Sequence, residues 1–91
     1  MKLKFFATYR NITGCKEMNV ASPPNVWALL EWLSARYGGD IRKKLFTPDG
    51  KDIGIDAIIL VNGLNVAHLS GKETTLAETD TVCIFPMVAG G

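Results

Sequence analysis

Only the segment from Val26 to Tyr37 has the apolar spacing of a long helix, and it divides the chain. Val26, Leu29, Leu30, Leu33 and Tyr37 recur at i, i+3, i+4, i+7 and i+11, which draws one apolar stripe along a helical surface. Ser22-Pro23-Pro24-Asn25 precedes it. Asn25 is the expected N-cap, because its side chain can accept from an orphan amide of the first turn. Gly38-Gly39 ends the segment as a C-cap glycine does. Trp27 and Trp32 fall on opposite flanks of the stripe and are expected to seal the helix edges against a sheet. A chain of 91 residues has room for one domain and one modest core. The stripe must therefore find its partner in strands.

Strand patterns surround it. Lys2 to Arg10 alternates with period two, with Leu3, Phe5, Ala7 and Tyr9 toward the core and Lys4, Phe6, Thr8 and Arg10 away from it. Asn11 to Gly14 supplies turn residues, and Lys16 to Ala21 returns as a second strand, so the start reads as a hairpin. Beyond the helix, Asp40 to Phe46 is expected as a short second helix with Ile41 and Leu45 inward. Thr47-Pro48-Asp49-Gly50 is a turn signal, and Ile53 to Asp56 reads as irregular. Ala57 to Val61 is a continuously apolar strand, Asn62-Gly63 a hairpin turn, and Leu64 to His68 the return strand. Leu69 to Leu76 reads as loop, with a helical turn near Leu76-Ala77-Glu78. Thr81 to Phe85 is the last strand, and Pro86 stops its pairing because it has no amide hydrogen. The order implies an α+β fold, a mixed sheet with one main helix packed on one face. If the last strand pairs parallel to the first, the chain leaves the sheet from an interior strand. The body is then residues 1–86 and the tail 87–91.

Composition narrows the function. Hydrophobic content of 47% and charged content of 21% are those of an ordinary globular domain. A net charge of +1 gives no basic footprint, so no nucleic-acid partner is expected, and Arg42-Lys43-Lys44 reads as a solvated helix face. No apolar run approaches the ~20 residues of a membrane span, so no membrane partner is expected. The start alternates like a strand rather than a signal peptide, which points to a cytoplasmic protein. Cys15, Cys83 and the single His68 cannot close a structural zinc site, so no metal is expected. No Ser/His/Asp or Cys/His set and no phosphate-cradling glycine loop stands out. The chain shows no enzyme active site of its own and no bound cofactor is expected.

The remaining candidate for chemistry is the end of the sequence. Val82-Cys83-Ile84-Phe85-Pro86-Met87-Val88-Ala89 leads straight into Gly90-Gly91. Glycine has no Cβ, so such a segment can lie in a slot too narrow for any other residue. A carboxylate at Gly91 is inert until it is activated as an acyl-adenylate. From Pro86 to Gly91 an extended chain reaches on the order of 15–20 Å at ~3.3 Å per residue. Gly90 and Gly91 would fill the narrow part of a partner's pocket and Val88 and Ala89 its mouth. Phe6 and Phe85 both point away from the core by alternation. If the first and last strands are neighbours, the two rings share one sheet face and form an exposed apolar docking patch beside the tail. Cys83 alternates onto the same face.

The element order, the single long helix and the terminal Gly-Gly resemble the ubiquitin-like β-grasp fold. Lys4-Phe5-Phe6-Ala7 with Arg10, Val61-Asn62-Gly63, Leu76 with Asp80, and the run from Val82 to Gly91 resemble its sulfur-carrier family (MoaD/ThiS). Within it the chain looks most like the small subunits of molybdopterin synthase, whose chains end in a Phe-Pro-Pro-Val-x-Gly-Gly type sequence. It departs from them at Met87, where a second proline is usual, and at Glu78-Thr79-Asp80, where Asp-Gly-Asp is typical. Met87 should leave the stalk less stiff. The resemblance implies that an E1-like enzyme spends ATP to adenylate Gly91 and that a sulfurtransferase supplies sulfur to make a thiocarboxylate. It further implies that the tail, with Phe6, Phe85, Pro86, Met87, Val88 and Ala89 as docking residues, enters a larger molybdopterin synthase subunit and donates sulfur to a pyranopterin precursor. Alternatives are a protein modifier joined to lysines through Gly91, a thiamine-pathway sulfur carrier, or an interaction domain with an incidental tail. An iron–sulfur version of the fold is set aside, since two cysteines cannot supply four thiolates.

Overall fold

The computed structural model describes residues 1–87. Among them, five strands form one sheet in the order β2-β1-β5-β3-β4. The strands are β1 (Lys2–Phe5), β2 (Glu17–Asn19), β3 (Ile58–Val61), β4 (Leu64–Asn65) and β5 (Thr81–Phe85). The helices are α1 (Thr8–Thr13), α2 (Val26–Tyr37) and α3 (Gly39–Leu45). β1 and β5 pair in parallel at the centre, and the other neighbours pair antiparallel. This is the mixed sheet with one main helix that the resemblance implies.

The stripe on α2 makes the core. Val26, Leu29, Leu30 and Leu33 are fully buried in one cluster with Leu3, Phe5, Ile59, Val82 and Ile84, the inward residues of three adjacent strands. Asn25 caps the helix as expected, its side-chain oxygen accepting from the Ala28 N–H at 2.9 Å. Ile41 and Leu45 of α3 close the same core at zero exposure. Trp27 packs edge-on against Phe46, centroids 4.9 Å apart, and seals its flank. Trp32 does not: it stays 37% exposed, with the Arg36 guanidinium 5.3 Å from its ring centroid.

The start of the chain departs from the expected hairpin. β1 ends at Phe5, although the Phe6 N–H still bonds the Ile84 carbonyl of β5. Ala7 then takes a positive φ of 52°, which turns the chain out of the sheet and into α1. Ala7 and Thr8 are exposed, and Tyr9 reaches the core from a helix rather than from a strand. β1 and β2 do pair antiparallel, but α1 joins them and Gly14 closes it at φ 74°. β2 is also shorter than Lys16 to Ala21.

Other elements follow the reading with smaller shifts. Asn62 and Gly63 both have positive φ, 51° and 84°, the pair a two-residue hairpin requires. The return strand β4 stops at Asn65 and a 3-10 turn covers Val66–His68. The helical turn expected near Leu76 lies instead at Gly71–Glu73. Residues Ala77 to Asp80 form a tight turn, in which the Asp80 carboxylate accepts from the Ala77 N–H and the Asn62 amide. β5 and the stop at Pro86 are as expected.

Gly54 ties the irregular segment to α3. Its N–H donates to the Leu45 carbonyl at 2.7 Å, and a Cβ there would sit 2.8 Å from the Lys44 carbonyl oxygen and 2.9 Å from that of Phe46. Both neighbours are backbone, so they cannot swing aside. Gly54→Ala should cost about 1–3 kcal/mol of folding stability, read as a lower urea midpoint. An unchanged midpoint would show that the segment packs more loosely than this.

Candidate functional surface and tail root

Alternation leaves one sheet face opposite α2. It carries Lys2 and Lys4 from β1 and Phe6 just beyond its end, Thr81, Cys83 and Phe85 from β5, and Ile58 and Leu60 from β3; Thr81, Cys83, Phe85, Ile58 and Leu60 are all half-buried. Register sets them in rows, with Lys4, Cys83 and Leu60 in one and Phe85 beside Ile58 in the next. Phe6 and Phe85 stack with centroids 4.1 Å apart and planes 11° from parallel. The shared face predicted from alternation is therefore present, but the rings are half-buried rather than exposed, because each covers one side of the other. Arg10 comes from α1 to place its guanidinium 5.8 Å from the Phe6 centroid. Cys83 sits between Lys4 and Leu60 within the patch.

Beside this face the chain leaves β5. Pro86 ends the ladder, and Met87 is 53% exposed. The Met87 N–H donates to Asp56 Oδ1 at 2.9 Å. Asp56 Oδ2 accepts from Lys44 Nζ of α3, and the Asp56 main-chain carbonyl accepts from the Tyr9 hydroxyl. Lys44 Nζ lies 5.6 Å from the Tyr9 ring centroid. The Lys44 hydrogen bond, aided by the Met87 N–H, holds the Asp56 carboxyl below the usual carboxylate range despite partial desolvation. Burial, with the Asp56 charge second, pushes the Tyr9 phenol well above its usual range, so it stays a donor.

Val88, Ala89, Gly90 and Gly91 lie outside the described residues. Sequence reasoning missed Asp56 and Lys44, assigning one to an irregular segment and the other to a solvated basic run. The signal exists only once register is known, because Ile58 opposite Phe85 sets Asp56 opposite Met87. Among the described residues there is no group of three or more His, Cys, Asp or Glu placed to hold a metal ion. None of their helices is long and apolar enough to cross a membrane.

Comparison with known proteins adds an independent line. The family model described as the ThiS family matches residues 3–91. The chain is 37% identical to small archaeal modifier protein 3 of Haloferax volcanii over 93 residues, covering 100% of this chain and 98% of the relative. It superimposes on a chain of the Amycolatopsis orientalis BexX/CysO complex with a TM-score of 0.82 and 25% identity, covering 99% and 98% of the two chains. A Pyrococcus furiosus protein provisionally described as molybdopterin converting factor subunit 1 gives a TM-score of 0.74 and 28% identity, covering 96% and 95%.

Four carboxyls bear on acid stability. Asp49, Asp56, Glu78 and Asp80 all have lowered pKa values, chiefly through the Thr47 hydroxyl, Lys44, the Ser22 N–H and the Asn62 amide respectively. A depressed carboxyl pKa means that the unfolded chain binds more protons in the acid range. The stabilisation is complete above the unfolded values, about 4, and is lost as pH falls through the lower folded ones. Urea midpoints should be flat from pH 7 to about 5.5 and decline below about 4. A midpoint that holds or rises between pH 5 and 3 would contradict these contacts.

Proposed function

The chain belongs to the ThiS family, and on that premise we propose that it is a sulfur carrier whose reactive group is the Gly91 carboxylate. An E1-like enzyme joins that carboxylate to the α-phosphate of ATP and releases pyrophosphate. The terminal sulfur of a sulfurtransferase persulfide then attacks the acyl carbon, and AMP leaves with the electron pair of the broken bond. A thiol attacks the sulfurtransferase sulfur of the resulting acyl disulfide, releasing the thiocarboxylate and leaving a disulfide. Adenylation is required because carboxylate oxygen is a poor leaving group, whereas AMP leaves readily. The resulting thiocarboxylate is ionised and soft at neutral pH, and so a good nucleophile.

The observation that carries this reading is where the chain leaves the body. β5 lies inside the sheet beside β1, and beyond Phe85 it runs out next to the stacked Phe6 and Phe85 rings. A partner that seats on that apolar face is therefore next to the tail it must receive. The family match running through to Gly91 supports a working role for the two glycines. For the recipient, we favour a pyranopterin precursor in a larger molybdopterin synthase subunit, in line with the Pyrococcus furiosus relative's description. A second reading, conjugation of Gly91 to lysines of other proteins, is favoured by the full-length match to a small archaeal modifier protein. The two share every step up to the adenylate, so one carrier can serve both.

Intact-mass analysis after incubation with the activating enzyme, ATP and a sulfur donor tests the proposal. The expected product has one oxygen of Gly91 replaced by sulfur, and deletion of Gly91 should abolish it while leaving the thermal melt unchanged. A tail that stays an ordinary carboxylate would refute the carrier reading. Gly-Gly remnants on lysines of other proteins would instead support conjugation. Phe6→Asp and Phe85→Asp should each weaken binding to the activating enzyme roughly tenfold or more, as loss of a central apolar anchor does. Unchanged affinity in a folded variant would remove these rings from the docking surface.

A further inference from the structure

We propose that Asp56 is a positioning residue for the chemistry at Gly91: backed by Lys44, it clamps the Met87 N–H and sets the direction in which the tail leaves the sheet. This rests on the carrier reading above. The antiparallel register of β3 and β5 ends at Ile58 opposite Phe85. Pro86 has no N–H, so the backbone ladder has nothing to continue with at that position. Met87 is the next donor, and a side chain rather than a main-chain carbonyl takes it, at 2.9 Å. The Asp56 carbonyl is occupied by the Tyr9 hydroxyl.

The clamp is referenced to the core. Tyr9 is fully buried, and Lys44 stands on α3, whose Ile41 and Leu45 are fully buried. Asp56 therefore joins α1, α3 and the exit of β5 at one carboxylate and one carbonyl. Its charge makes the Met87 bond stronger than a neutral pair would be, and Lys44 fixes which oxygen is presented. The backbone is then held as far as Met87 instead of only to Phe85. This offsets the stiffness expected to be lost with methionine where a second proline would stand. A tail with fewer free bonds at its root loses less entropy on threading into a partner.

The test uses the full chain. By 15N relaxation the Met87 N–H should be as rigid as β5, with an order parameter near ~0.85, and should fall below ~0.6 in Asp56→Ala. Asp56→Asn, which keeps an acceptor but not the charge, should lie between. In pyrophosphate exchange with the activating enzyme, Asp56→Ala should raise KM for the carrier roughly 5- to 30-fold, the equivalent of one residue's backbone freedom, with kcat within about twofold. A residue that only stabilised the fold would not split KM from kcat in this way. Met87→Pro removes the donor, so Asp56→Ala should have no further effect on KM in that background. A mobile Met87 in the unmodified chain, an unchanged KM in Asp56→Ala, or additive penalties in the double variant would each overturn the clamp. If the unmodified chain is not adenylated at all, the carrier reading fails, and the order parameters alone decide whether the clamp exists.

Discussion

Parallel pairing of β1 with β5 is the constraint on which the other features rest. Parallel neighbours cannot be joined by a tight turn, so the chain between them has to cross over, and α2 with its buried stripe does so. Leu3, Phe5, Val82 and Ile84 alternate inward from the two paired strands and are all fully buried against that helix. With β5 held between β1 and β3, its C-terminal end emerges from the middle of the sheet.

The same alternation that buries those four residues places Phe6 and Phe85 on the opposite face. An exit point and an apolar surface thus arise from one pairing, without a separate device to bring them together. The stack also means that neither ring is a loose hydrophobe. Each is ordered by the other, which on the proposed reading lowers the cost of presenting them to a partner. On the far side of the exit, Asp56 and Lys44 hold the chain by charge-assisted hydrogen bonds instead of by packing.

Much of this could be read from residues alone, for reasons that differ by element. α2 was legible because apolar period, cap and terminal glycines agree, and β5 because Pro86 marks its end. Asn62-Gly63 specified its hairpin through the positive φ values it tolerates. The start was not legible, because Leu3, Phe5 and Tyr9 fit a strand while Tyr9 and Ile12 equally fit one helical turn. Either choice buries Tyr9, and the positive φ at Ala7 that decides between them has no signature in an alanine. Alternation identified Phe6 and Phe85, whereas their stacking needed the strand order. Asp56 and Lys44 needed the register itself, since 12 residues separate them in sequence and nothing local links either to Met87.

On the proposed reading, the face that carries Phe6 and Phe85 and the root of the tail are two parts of one docking site. The most direct measurement is a 15N NMR titration of the chain with its activating enzyme, reading which amides shift or broaden. The account predicts changes concentrated at Phe6, Ile58, Leu60, Cys83 and Phe85 and continuing through Met87 into the tail. Changes concentrated on the outer side of α2 and α3, around Trp32, Arg36 and Lys43, with the Phe6 and Phe85 amides undisturbed, would contradict it.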